Sequence, residues 1–358
     1  MTFIYFILVF GIIITIHELG HLIAAKSFNV YCEEFSFGMG PRLFGKKFKE
    51  TTYNVRLFPI GGFVAMAGEA DANFDQENIS EERTIKGISK WKQIVVMLSG
   101  VFMNFVLGLV FFIAINVIVG QVQLPTQPII DEVVAGSPAD EAGMLANDEI
   151  ISVIYPKGDV INPKEFSDIS TFFELFPGET IKFIVNRDGK EIELLITPKL
   201  DEQSNRHLIG VQGVPGEVVD LNLFGAIKEG FKDFKQGSTL ILKSFQFLIR
   251  GIGLNQISGP IGILDQTGQI MDQASSIKHG SLILMNLIAL FSVNLGIFNL
   301  IPLPMFDGGR VVLTLYEIIF KRDINKKVEQ GLMTFSLFIL VLLIVFTTWN
   351  DISRILFR

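Results

Sequence analysis

The stretch Phe3–Ala25, FIYFILVFGIIITIHELGHLIAA, is apolar apart from Thr15 and the group His17-Glu18-Leu19-Gly20-His21. Its length suits one crossing of a ~30 Å hydrocarbon core at ~1.5 Å per residue. Ionisable groups inside such a helix are costly and point to function. His17 and His21 are four positions apart, so on a helix both imidazoles share one face and can reach one zinc ion. Glu18 lies beside the pair, where a general base for a zinc-held water belongs. The competing reading is a buried structural His–Glu network. Against it, two of the chain's 4 histidines fall in this one helix.

Outward from this helix, three further stretches qualify as spans: Ile94–Val119, Leu282–Ile301 and Leu332–Trp349. The chain has 358 residues, 49% hydrophobic and 19% charged, with a mean hydropathy of +0.45. These values suit a polytopic α-helical membrane protein and not a soluble enzyme. The N-terminus lacks the basic region and cleavage site of a signal peptide, so its helix reads as retained. A net charge of −7 argues against nucleic acid as a partner. The single cysteine, Cys32, excludes an intramolecular disulfide and a cysteine-rich zinc site.

The expected order is a first span at 1–25, a membrane-associated β-hairpin region at 26–92 and a second span at 93–120. An inserted α+β domain follows at 121–205, then amphipathic membrane-surface helices at 206–280. A third span at 281–302, a loop at 303–331, a fourth span at 332–350 and a tail at 351–358 complete it. Lys26–Lys92 holds ten Lys and Arg, and Met305–Gly331 holds five. These basic loops read as cytoplasmic, which leaves both termini and the inserted domain outside.

In the inserted domain, Ile181, Phe183 and Val185 alternate with polar residues before a turn at Arg187–Lys190. Ile192, Leu194 and Ile196 alternate on the return, a β-hairpin pattern. Ser137-Pro138 opens a short helix that ends at Gly143. The string SPADEAGMLANDEIISV from Ser137 resembles the core of a PDZ domain. Leu223–Gly253 mixes lysines with Phe and Leu and reads as amphipathic helix on the membrane surface. FSFGMGPRLFG from Phe35 and YNVRLFPIGGFVAMAG from Tyr53 read as short strands joined by glycine turns that dip into the membrane face.

Zinc needs a third protein ligand. Asp307 is the candidate, in NLIPLPMFDGGR directly after the third span. Pro302 and Pro304 break the helix there, and Gly308 and Gly309 allow a sharp turn. Spans one and three both run inward, so the His pair and Asp307 share the cytoplasmic end. From Phe3 to His17 the helix rises roughly 21 Å, which places the metal in the inner third of the core. Asn104, Asn294 and Asn299 are polar span residues that can line the site or hold a substrate backbone. An interhelical hydrogen bond explains each equally well.

HELGH in the first span, with Asn299-x-x-Pro302-x-Pro304-x-x-Asp307-Gly308-Gly309, resembles the intramembrane site-2 zinc protease family. The bacterial type with one extracytoplasmic PDZ domain is the nearer match. The strings GMGP from Gly38, PIGGFV from Pro59, SGVFMN up to Asn104, SGPIGI from Ser258 and SVNLGIFN up to Asn299 fit the same family. Phe306 departs from it, standing where an aliphatic residue is usual. The resemblance implies one Zn2+ on His17, His21 and Asp307, with Glu18 as catalytic base. It implies substrate contacts at Asn294 and Asn299 and, through β-augmentation, at the strand carrying Gly61, Gly62 and Phe63. The substrates it implies are single-pass transmembrane proteins, of the anti-sigma-factor or remnant-signal-peptide class, in the bacterial cell membrane. The rival readings are a non-catalytic PDZ-bearing scaffold, which would hold no zinc, and a metal transporter, which would need polar residues at every depth.

Overall fold

Four apolar stretches become long helices. The computed structural model describes residues 2–69, 79–170, 173–176, 178–201, 206–254, 257–272 and 274–356. Helix α1 is Thr2–Ser27. Strands β1 (Cys32–Phe48) and β2 (Thr51–Met66) follow, then α2 (Lys90–Val119). Next come β3 (Gln121–Gln123), β4 (Ile130–Val133), α3 (Pro138–Glu141), β5 (Glu149–Ile154) and β6 (Val160–Ile161). They are followed by β7 (Ile181–Arg187), β8 (Lys190–Ile196), β9 (Lys199–Asp201), β10 (Arg206–Leu208), β11 (Val211–Gly213) and β12 (Val218–Asp220). The chain ends with α4 (Leu223–Ile249), α5 (Pro260–Asp272), α6 (Ile277–Asn299), α7 (Asp307–Phe320) and α8 (Lys326–Leu356). Among the described residues, α1, α2, α6 and α8 are long and apolar enough to cross a membrane. The charges of α4 keep it outside that group.

The chain divides into two units. The first holds Met1–Ile118, Leu223–Lys243 and Ser258–Arg358. In it, β1 and β2 fold back on each other. Glu34–Phe37 pairs with Gly62–Ala65 on one side and with Thr52–Val55 on the other, while Phe44–Phe48 pairs along Thr51–Val55. Among the described residues, segment 62–65 therefore forms a free edge. Buried Leu22, Ala25, Val64, Met66 and Val96 pack this sheet against α1 and the start of α2. Val9 and Ile13 of α1 meet Leu287 and Ile288 of α6. Ser292 of α6 donates to the main-chain carbonyl of Asn104 on α2 at 2.9 Å.

The second unit holds Val119–Asn222 and Ser244–Ile257. Its largest sheet runs β6-β5-β7-β8. The β7–β8 turn is Asp188-Gly189, both at positive φ (52° and 79°), the geometry of a two-residue hairpin. Ser137 caps α3, accepting from the amide of Asp140 at 3.3 Å. Buried Asp148 holds Arg187 through both carboxylate oxygens at 2.7 Å. Ile130, Val153, Tyr155, Phe176 and Phe183 are among its core residues.

Two sequence expectations need correction. Part of the segment expected as helices at 206–280 is strand, since β11 pairs with β4 and β12 with β3. The β-branched residues Val211, Val218 and Val219 favour the extended backbone there. The expected loop at 303–331 contains α7, a helix that begins at Asp307 itself. The boundary expected at 205 falls outside the described residues.

Candidate metal centre

His17 and His21 project from α1 toward α2, buried. Their Nε2 atoms are 3.2 Å apart, and the rings stand edge to face. Helix α2 holds both rings from behind. The carbonyl of Val96 accepts from His21 Nδ1 at 2.8 Å, which leaves Nε2 of that ring as a lone pair. The amide of Asn104 meets His17 Nδ1 at 3.2 Å.

The helices come this close because glycines line the contact. A Cβ on Gly20 would stand 2.4 Å from the Ser99 carbonyl oxygen, and one on Gly100 would stand 2.4 Å from His21 Nε2. Small residues at such crossings let membrane helices approach backbone to backbone.

Asp307 arrives from the other side. Helix α6 ends at Asn299, and the Pro302–Pro304 segment turns the chain into α7. The turn is tight: a Cβ on Gly308 would lie 2.3 Å from the Leu300 carbonyl oxygen. Asp307 Oδ2 then lies 3.2 Å from His17 Nε2 and 3.5 Å from His21 Nε2. This oxygen is buried without a hydrogen bond. Helix α7 is tied in place by Arg310 to Glu69 at 3.0 Å and by Glu317 to Lys90 at 2.6 Å.

The three ligand atoms form a triangle with sides of 3.2, 3.2 and 3.5 Å. Tetrahedral zinc with bonds of ~2.0–2.1 Å sets neighbouring ligand atoms roughly 3.3–3.4 Å apart. The residues therefore fit zinc in both donor type and spacing. Converging lone pairs at this distance repel one another unless a cation lies among them. Among the described residues, this is the only His, Cys, Asp and Glu group whose ligand atoms converge so.

Glu18 is half-buried beside the triangle. Its Cγ would lie 3.5 Å from a Cβ placed on Gly62. The free edge of the sheet thus passes next to Glu18. Gly61 turns at a φ of 89°, and Phe63 stacks under the Arg56 guanidinium at 5.1 Å. Asn104 is 0% exposed and lies against His17 Nδ1. Asn294 and Asn299 are half-buried, and neither is among the contacts of the triangle. The sequence reading missed Gly100, Val96 and the Glu69–Arg310 tie. Gly100 stands four residues before Asn104 in SGVFMN, which was the one available signal.

A family model described as peptidase family M50 matches residues 5–343. The chain is similar to three bacterial proteins named as candidate zinc metalloproteases. The Campylobacter jejuni protein is 33% identical, with 98% of this chain and 93% of that protein covered. The Fusobacterium nucleatum protein is 31% identical, with 99% of each covered. The Staphylococcus aureus protein is 28% identical, with 99% and 98% covered.

Proposed function

The chain belongs to peptidase family M50, and from that premise we propose that it cuts single-pass membrane proteins in or near their transmembrane segments. It is a multi-pass membrane protein and a zinc metalloendopeptidase. The reading assigns zinc to His17, His21 and Asp307. The observation that carries it is the triangle of ligand atoms with its orphaned carboxylate oxygen.

When bound there, zinc supplies a Lewis acid for the scissile carbonyl and acidifies the attacking water. Glu18 takes the proton from that water as its oxygen bonds to the carbonyl carbon. The C–N bond then breaks, and Glu18 returns the proton to the leaving nitrogen. A transmembrane helix hides its peptide bonds, so it must first be extended. The free edge at Gly62–Ala65 supports β-augmentation: an unwound substrate would add as a strand and lie beside Glu18. Gly61, Gly62 and Phe63 are its proposed contacts. Asn294 and Asn299 are also proposed as its contacts, since among the described residues their side-chain amides have no hydrogen-bond partner.

The distribution of Lys and Arg supports a cytoplasmic β1–β2 region and α7, with both termini outside in a bacterial cell membrane. The second unit, which we take as a PDZ-like domain, would then face outward and screen substrates. Anti-sigma factors and remnant signal peptides are the proposed substrate class. The test is cleavage of tagged single-pass substrates by wild type and Glu18→Gln. Wild type should cleave, and Glu18→Gln should lose about 10²-fold or more while keeping its zinc. Equal cleavage by both would remove the assignment.

A further inference from the structure

We propose that Asn104 is a positioning residue of the metal centre: its side-chain oxygen accepts a hydrogen bond from His17 Nδ1–H and so turns the Nε2 lone pair toward the ion. The inference rests on His17 being a zinc ligand, as assigned above. Val96, Gly100 and Asn104 are spaced by four on α2 and therefore share one line along it. Each member of that line meets the His pair. The Val96 carbonyl holds His21 Nδ1 at 2.8 Å. Gly100 lies against His21 Nε2 and His17 Cε1. Asn104 meets His17 Nδ1 at 3.2 Å.

The orientation of the amide decides its role. With Nδ2 toward the ring, Asn104 would donate to His17 Nδ1. The ring proton would then sit on Nε2, facing His21 Nε2 and Asp307, and no lone pair would remain for a metal. The same orientation strands Asn104 Oδ1, which is buried without a hydrogen bond. Rotating the amide by half a turn gives Oδ1 a donor and frees the His17 Nε2 lone pair, and the exchange is open because the two ends of the amide are alike in shape. Oδ1 then accepts from His17 Nδ1–H, and both histidines present Nε2 lone pairs to the centre. The donor Ser292 fixes this turn of α2 through the Asn104 carbonyl. A fully buried amide engaged in this way has no face left for a substrate, so the substrate role expected for Asn104 is withdrawn.

The experiment uses the full chain in detergent, titrating zinc against a competing chelator at one pH. Wild type is compared with Asn104→Asp, which keeps an acceptor, and Asn104→Leu, which keeps the shape without one. Loss of a partner behind a ligand His weakens metal binding about 10–100-fold. Asn104→Leu should show that loss with a zinc-free melting temperature close to wild type. Asn104→Asp should remain within a few-fold of wild type. Cobalt substitution should give a tetrahedral spectrum in wild type and Asn104→Asp, and a weakened one in Asn104→Leu. Should Asn104→Leu not fold, Asn104→Ala carries the same expectation. Zinc affinity unchanged in the variant without an acceptor would overturn the proposal, as would an Asn104→Asp affinity as weak as that of Asn104→Leu. A wild type that binds no zinc would instead fail the ligand assignment on which the proposal rests.

Discussion

At Gly100 the candidate metal centre depends on the absence of an atom. A Cβ there would stand 2.4 Å from His21 Nε2 and 2.7 Å from His17 Cε1, closer than carbon approaches either atom without displacement. Gly100→Ala should therefore spread the His pair and lower zinc occupancy at limiting metal. Gly100→Val should lower it further, with cleavage falling in parallel. Zinc content of the purified variants checks this, and full occupancy in Gly100→Val would contradict it. The same residue shows what a sequence can carry. The meeting of His17 and His21 was legible because helical spacing alone puts two imidazoles on one face. The approach of Asp307 to that pair was legible because a helix break and a carboxylate coincide. Gly100 was not, since its contribution exists only where α2 crosses α1. Asn104 was visible as a polar span residue, but its burial against His17 exists only in the fold.

Between elements, the parts that hold α1 do so through pairings of distant sequence. Helix α5 packs against both α1 and α8, and its start is fastened by Asp351 of α8. Asp351 is 1% exposed and accepts from the amides of Gly259 at 3.1 Å and Gly262 at 2.7 Å. These amides lie just before and within the first turn of α5, where helix N–H groups lack partners and a negative charge is favoured. Gly259 and Gly262 leave the room: a Cβ on Gly262 would lie 2.3 Å from Asp351 Oδ1. Asp351→Ala leaves those amides buried without an acceptor and should cost about 1–3 kcal/mol. A lower melting temperature in detergent would register it, while an unchanged one would mean the carboxylate contributes nothing net. SGPIGI fits the family by its residues, but its structural role is not readable from them, because the partner of its amides lies some ninety residues later. The four spans were legible from apolar length alone. Helix α7 was not, because its glycines and the preceding prolines mark a turn and conceal the helix that follows.

Across the whole molecule, the chain leaves the second unit after Asn222 and returns to it at Ser244. The sequence predicts a contiguous domain ending at 205, with Leu223–Gly253 as amphipathic helix on the membrane surface, whereas Leu223–Ile249 is one uninterrupted helix shared by both units. Helical periodicity says which face is apolar and nothing about which core each turn enters. Phe234 packs edge to face on Phe105 in the first unit. Phe247, 7% exposed, packs edge to face on Phe176 at 6.1 Å in the second. Ile252 completes the same core. The second unit therefore depends on residues that follow its last strand by more than twenty positions. Truncating a buried Phe to Ala costs about 3–5 kcal/mol, a large share of the stability of a domain this size. Phe247→Ala in the full chain should accordingly open the segment Val119–Asn222 to limited proteolysis. Zinc affinity should stay at the wild-type value, because His17, His21 and Asp307 all lie in the first unit. Comparing digestion rates with zinc titration separates the two effects. Unchanged protection of Val119–Asn222 would show that the end of α4 is not part of that core, and a parallel loss of zinc would show that the two units do not fold independently.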